Sequence, residues 1–256
     1  MIRDFTHQMY LELLLTLKRK GYSFYRFVDY ARKPQLNNPH AILRHDVDRF
    51  PKRALKLARL ENTLDVKSTY FFRAKKTSFS AEMIEKIKGM GHEVGYHYEE
   101  LSDAKGDYGL AWQLFQKNEK RFDQFGGVTS IAMHGRPLSQ WNNQDLWKYH
   151  NYHDVGILID AFQDIDWKDY LYFTDTGRSW NSPENRRDRV PSGHYENTSD
   201  IQTTDDLMSF LESCREKVVI STHPERWSDN SVSWALSLMQ DTLINQIKKL
   251  KRRLVS

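Results

Sequence analysis

Ala41-Ile42-Leu43-Arg44-His45-Asp46-Val47-Asp48 is an apolar run that ends in a cluster of charged side chains. The lead-in Ala41-Ile42-Leu43 reads as a buried strand. Residues two apart on a strand face the same way. Arg44, Asp46 and Asp48 therefore share one face, and His45 and Val47 take the other. Carboxylates two residues apart along a strand lie about 6–7 Å from each other. That spacing suits a division of labour in which one carboxylate binds a metal and the other acts as a base. Two neighbouring carboxylates repel, so burying both calls for a cation.

Two more segments end short apolar runs in the same way: Gly95-Tyr96-His97-Tyr98-Glu99 and Thr222-His223-Pro224-Glu225-Arg226-Trp227. Catalytic groups gathered from the ends of several strands are the habit of barrel enzymes. Around them, strand-like and helix-like stretches alternate. Strands are expected over 41–48, 66–74, 93–97, 129–134, 155–161, 170–176 and 217–223. Helices are expected over 52–64, from Ser80 (a cap) to Gly89 and Gly91, over 107–125, 142–150 and 203–216, and at the C-terminus. The last shows Val232, Leu236, Met239, Leu243, Ile247 and Leu250 at spacings of three and four. Residues 177–200 are polar and read as a long loop. The alternation predicts an α/β fold with a parallel barrel or wound sheet. No repeat or linker divides it, so residues 1–256 form one domain. Residues 1–40, an amphipathic helix and an aromatic patch, read as an N-terminal helical cap on a barrel of residues 41–256.

With 256 residues, a full core is affordable in one domain. There are 38 basic and 34 acidic residues, a balance too even for a dedicated nucleic-acid binder. A basic run, Lys248-Lys249-Leu250-Lys251-Arg252-Arg253, suits a helix C-terminus. Weak peripheral contact of this run with an anionic membrane would need apolar help. No apolar stretch is long enough for a membrane helix or a signal core, and the expected location is the cytoplasm. The single cysteine, Cys214, lies among Leu207, Phe210 and Leu211 at helical spacing and reads as a small buried hydrophobe. That suits a reducing compartment.

Taken in order, the motifs resemble those of the polysaccharide deacetylase superfamily, the NodB-like enzymes of carbohydrate esterase family 4. The resemblance covers roughly residues 40–225. It implies a distorted (β/α) barrel that removes acetyl groups from N-acetylated sugars with a divalent metal, usually Zn²⁺. Asp46 is similar to the family's base and Asp48 to its metal aspartate, in a form with one residue between them. Gly91-His92-Glu93-Val94-Gly95-Tyr96-His97 is similar to the approach to the first metal histidine, His97. Leu101 stands where the second histidine is expected, so the third ligand falls to His134 or Glu99, with Glu100 nearby. Ser130, Ala132 and His134 share a face, and His134 is preferred because imidazole suits zinc and a strand end is rigid.

His134-Gly135-Arg136-Pro137 resembles the motif whose arginine orients the base, which gives that role to Arg136. Asp175-Thr176-Gly177-Arg178-Ser179-Trp180 resembles the acidic-aromatic motif, with Asp166-Trp167 as a rival. Ser221-Thr222-His223-Pro224 resembles the last motif, making His223 the general acid. Asp175, Arg178, Trp180 and Trp227 are then expected to contact substrate, the two tryptophans by stacking on a sugar ring. The branch resembled is one associated with bacterial O-antigen and surface-polysaccharide synthesis. Two other readings stay open: a barrel hydrolase of a non-sugar amide, and an inactive relative that only binds glycan.

Overall fold

The computed structural model describes residues 3–32, 36–136, 138–180 and 200–255. Among these residues, eight parallel strands make one sheet: β1 (Ser23–Tyr25), β2 (His40–Val47), β3 (Thr69–Phe72), β4 (Glu93–Tyr98), β5 (Ser130–Met133), β6 (Ile159–Asp160), β7 (Tyr170–Thr174) and β8 (Lys217–Thr222). The order is β6-β5-β4-β3-β2-β8-β7, with β1 beside β2. This is the expected distorted (β/α) barrel, open between β6 and β7.

β2 is central and fully buried. Along one edge, its first half pairs with β1 (Phe24 opposite Ala41) and its second half with β3 (Asp46 opposite Phe71). Its other edge pairs with β8. Strict alternation along β2 sorts its side chains into separate cores. Ile42 joins the barrel interior with Phe71, Ala132, Tyr172 and Val219, and Phe162, Ile165 and Trp167 fill the open seam. Leu43 and Val47 face outward into the layers packed under the helices.

Among the described residues, eight helices surround the sheet: α1 (His7–Arg19), α2 (Phe27–Arg32), α3 (Pro51–Thr63), α4 (Ala81–Gly89), α5 (Glu100–Asp103), α6 (Tyr108–Glu119), α7 (Thr204–Ser213) and α8 (Ser231–Val255). The first 40 residues do more than cap. β1 extends the sheet, and α1 packs against α3 and α7 on the outside. α2 sends Phe27 into the barrel interior, and its first amides bond Thr69 and Glu93 at the N-terminal ends of β3 and β4.

Local chemistry explains where the boundaries moved. Ser80 sits at the N-cap of α4 but makes no capping bond, and Gly91, with φ +85°, makes the turn after it. The expected helix over 107–125 is α-helical to Glu119 and then a 3₁₀ turn that ends at Gly126, φ +86°. The stretch 142–150 is a 3₁₀ helix over Asn143–Lys148. The strand expected over 155–161 shrinks to Ile159–Asp160, because a 3₁₀ turn over Tyr152–Val155 ends at Gly156 in a left-handed conformation. Cys214 is buried at the C-cap of α7, as expected. Most of the expected loop over 177–200, residues 181–199, lies outside the described residues. Among the described residues no helix is long and apolar enough to cross a membrane.

Candidate active site at the C-terminal rim of the barrel

The inward parity of the strands delivers one ring of polar side chains. It runs through Arg44 and Asp46 on β2, Arg73 after β3, His97 on β4, His134 after β5 and His223 after β8. They line a cavity of about 230 Å³, with Asp48, Arg49, Arg136, Glu225, Arg226 and Asp241 completing the wall.

Asp46 is buried, and Arg44 on the same strand grips it with two bonds. Nε meets Oδ1 at 2.7 Å and Nη2 meets Oδ2 at 2.8 Å. Arg44 is itself clamped by aromatic faces, its guanidinium 4.5 Å from the Phe162 ring centroid and 5.4 Å from that of Phe71. Burial pushes the Asp46 carboxyl up. The charge of Arg44 and its hydrogen bonds, with the charge of His223, outweigh it and hold the group below the ordinary aspartate value. Asp46 is thus ionised and fixed in orientation.

Asp48, His97 and His134 offer one donor atom each, all within 4.8 Å of one another. His97 Nδ1 lies 2.9 Å from the Ala132 carbonyl, which can only accept. The proton therefore sits on Nδ1, and the Nε2 lone pair faces Asp48, 3.4 Å from Oδ1. His134 repeats the arrangement with a carboxylate. Its Nδ1 is 2.9 Å from Glu99 Oε2, and its Nε2 is 3.5 Å from Asp48 Oδ1. Outer partners of this kind set the tautomer and aim of metal-binding histidines. Asp48 Oδ1 is buried without a hydrogen-bond partner among the described residues. An orphaned carboxylate oxygen facing two imidazole nitrogens fits a divalent cation. Without one, burial pulls the His134 imidazolium down, but Asp48 and Glu99 outweigh it and raise the group to about 9. Cation binding and proton release are thereby linked.

Glu99 stands one shell out. Arg73 donates to it from Nε at 3.0 Å and Nη2 at 2.6 Å. Burial raises its carboxyl, and His134 and Arg73 override that and bring it to about 2. Of the two candidates for third ligand, His134 meets the triad and Glu99 supports it. Glu100 turns outward to Tyr96 and Asn118.

Across the cavity, His223 Nδ1 is 2.6 Å from Asp175 Oδ1, and its backbone N–H donates to Oδ2 at 2.9 Å. Asp175 is fully buried and also accepts from Arg226 Nη1 at 2.6 Å and Trp227 Nε1 at 2.8 Å. Burial and Arg226 lower the His223 imidazolium. Asp175, with Asp48 beyond it, more than compensates and raises it to about 9.

No family model matches the chain, and no curated protein matches it. Solved structures of similar fold include a family 4 carbohydrate esterase from Streptomyces lividans, 12% identical over 81% of this chain and 88% of that one, TM-score 0.45. Peptidoglycan deacetylase PdaC from Bacillus subtilis is 12% identical over 85% of this chain and 98% of that one, TM-score 0.46. A Streptococcus mutans CE4 esterase is 14% identical over 91% of this chain and 90% of that one, TM-score 0.47. Likenesses this distant leave the chemistry to be argued from the residues of this chain.

Those residues correct several expectations. Arg136 does not clamp Asp46; Arg44 does. β5 ends at Met133, and Arg136, with φ +36°, carries its guanidinium to Asp103, with Glu99 3.5 Å away. Trp180 and Trp227 are both 0% exposed, which rules out stacking on a sugar. They pack on Phe5 and on each other behind the wall, where Trp227 orients Asp175. Asp175 holds His223 rather than touching the cavity. Arg178 is drawn away to Asp241 (3.1 Å) and the Arg226 carbonyl (2.9 Å). The aromatic that does line the cavity is Phe162. The rival Trp167 fills the barrel seam.

Sequence reasoning put Arg44 on the face of the site but gave it no role, and it missed Arg73 and Glu225. For Arg73 the signal was available, since it follows the inward parity of its strand. Glu225 is 3% exposed, with Oε1 3.6 Å from Arg49 Nε and Oε2 buried without a hydrogen-bond partner among the described residues. Burial and the charge of Asp48 push its carboxyl up to about 7. Only the folded rim reveals that crowding.

Proposed function

We propose that the chain is a metal-dependent hydrolase that removes the N-acetyl group of a sugar. The observation that carries this reading is the cavity itself: an ionised carboxylate clamped by Arg44 on one side, a protonated imidazole held by Asp175 on the other, and the Asp48–His97–His134 triad on the same wall. The resemblance of the motifs supplies the substrate class, an N-acetylated glycan of bacterial surface-polysaccharide synthesis of the O-antigen kind. The expected setting is the cytoplasm. Two imidazoles and one carboxylate suit Zn²⁺. Three protein donors leave room for water and substrate.

A divalent cation held by Asp48, His97 and His134 would supply Lewis acidity to the acyl oxygen and acidify the attacking water. The chain's own groups handle the protons. Asp46 accepts one proton from the water as its oxygen bonds to the acyl carbon. His223 Nε2 donates its own proton to the nitrogen as the carbon–nitrogen bond breaks, leaving a free amine and acetic acid, which ionises to acetate, and proton exchange with solvent restores Asp46 and His223. Arg44 keeps Asp46 charged and aimed through the cycle, and Asp175 does the same for His223.

The experiment is acetate release from N-acetylglucosamine oligomers by protein treated with chelator and then given Zn²⁺, Co²⁺ or Mn²⁺. Activity should return with metal. Asp46→Asn should bind metal normally yet lose activity on the order of 10²- to 10⁴-fold. Metal that restores nothing on any acetylated sugar, or Asp46→Asn with near-normal kcat, would sink the reading.

A further inference from the structure

α8 has one face in the molecule and one face bare. Its inner side is anchored by buried Ser237 and Asp241 and by Trp234, whose Nε1 donates to the Asp4 carbonyl at 2.6 Å. Ile244 and Asn245 line the cavity. On the outer side Val232, Leu236, Met239 and Leu243 are 68%, 56%, 68% and 59% exposed. Spacings of four, three and four put them on one stripe of the helix. With Leu238 they make up five of the ten large hydrophobic residues exposed among the described residues, so the exposure is concentrated rather than scattered.

The charge along the same helix is one-sided. From Leu243 to Ser256 the sequence has five basic residues, Lys248, Lys249, Lys251, Arg252 and Arg253, and no acid. The helix's single acid, Asp241, is buried against Arg178 and Arg226. Asp229, just before the helix, is engaged by His7.

We infer that α8 docks this protein on an anionic phospholipid surface, apolar stripe inward to the acyl boundary and basic end on the headgroups. Amphipathic helices of this composition bind that way, and juxtaposed basic residues add attraction to anionic lipid. Other occupants fit less well. A second copy in parallel would bring two cationic ends together, and in antiparallel it would offer them no free acid on the helix. Residues 181–199 hold only Val190 and Tyr195 beyond their prolines, too little apolar surface to cover four large side chains. Because the inner face of α8 borders the cavity, the bilayer would lie about one helix diameter, ~10 Å, from the site. The proposal stands apart from the hydrolase reading, since lipid binding is measured without turnover.

The test is flotation of the full chain with vesicles of phosphatidylcholine alone or mixed with phosphatidylglycerol. The wild type should float with the anionic vesicles only, less so as salt is raised. Leu236→Ser/Met239→Ser/Leu243→Ser should cut the bound fraction at least about tenfold, and so should Lys248→Glu/Lys249→Glu/Lys251→Glu. Thermal unfolding of the apolar variant should match the wild type, as expected for exposed positions. No flotation with anionic vesicles, or flotation untouched by the apolar variant, would overturn the proposal. So would light scattering that shows a dimer which the apolar variant turns into a monomer, because the stripe would then belong to a second copy.

Discussion

Arg44 and Arg136 separate two accounts of how the base is held. Arg44 is 1% exposed and gives Asp46 both of its short bonds, so Arg44→Ala strands a buried carboxylate. Losing one partner of a buried pair costs about 3–5 kcal/mol. The variant should therefore unfold more readily and lose turnover, and Arg44→Lys should recover the fold better than the rate, because an ammonium cannot make the planar two-point grip. Arg136→Ala should leave kcat within a few-fold of wild type. Steady-state kinetics beside thermal melts of the three variants check this; Arg136→Ala as damaging as Arg44→Ala would restore the other account.

In the proposed reaction His223 sets the alkaline limb. Its imidazolium is raised to about 9, and Asp46 is held below the ordinary aspartate value. Activity should stay level across neutral pH, fall on the acid side only below the usual carboxylate range, and fall on the alkaline side as His223 loses its proton. A bound cation would cancel the help His223 receives from Asp48, so the limb should lie at or below about 9 in the loaded protein. In His223→Gln that limb should vanish, and acetamides with a poor leaving group should suffer more than an activated aryl ester. A pH–rate profile for each substrate decides it, and an unchanged limb in the variant would exclude His223 as its source.

At the scale of elements, strand parity made most of the site legible in the sequence. Alternation on β2 aligned Arg44, Asp46 and Asp48, and the alternation of Ser130 and Ala132 aimed His134. Parity ends where strands end, and the errors lie there. Arg136 and Arg178 both follow strands on turns with positive φ, +36° and +60°, so side chains three and four residues past a strand end no longer keep the face. Trp180 and Trp227 were misread because aromatic type says nothing about which side of a wall a residue occupies. The same parity makes a prediction about Gly95 on β4, whose inward position lies two residues before His97. A Cβ there would come within 2.4 Å of the Phe71 ring and 2.8 Å of Ser130 Oγ. Phe71 also supports Arg44. Gly95→Ala should cost about 1–3 kcal/mol through overpacking and reduce kcat through Arg44. Urea unfolding and kinetics of the variant measure both, and wild-type values for each would show the interior has slack.

Over the whole molecule, one buried acid ties the layers together. Glu61 on α3 is 0% exposed and accepts from His45 on β2 (2.7 Å), Ser68 (2.6 Å) and Tyr70 (2.7 Å), and also from Tyr10 on α1. His45 passes the connection to Thr222, beside His223, at 2.6 Å. Neither His45 nor Glu61 stood out in the sequence, because a polar residue among helical hydrophobics reads as surface until its partners from four other segments are known. Burial raises the Glu61 carboxyl, and His45, His92 and Ser68 outweigh it and bring it to about 2, below its ordinary 4.5. The stability it contributes is therefore complete above pH 4.5 and is lost as pH falls toward 2. A shift of this size is worth on the order of 3 kcal/mol. Glu61→Gln should remove that acid dependence and lower stability at neutral pH by a similar amount. Urea unfolding free energies of both proteins across that pH span provide the check; parallel curves would show that other carboxylates govern the acid loss.

The grip of Arg44 on Asp46 has a consequence for how such a site can change over time. Proton acceptor and guanidinium are encoded within three consecutive codons' reach on one strand, so they are inherited as a unit and cannot be parted by exchanging loops. The segments that shape the cavity mouth are then free to drift or be grafted. A lineage, or an engineer, could re-cut the berth for a different ligand while the setting of the Arg44–Asp46 pair stayed as it was.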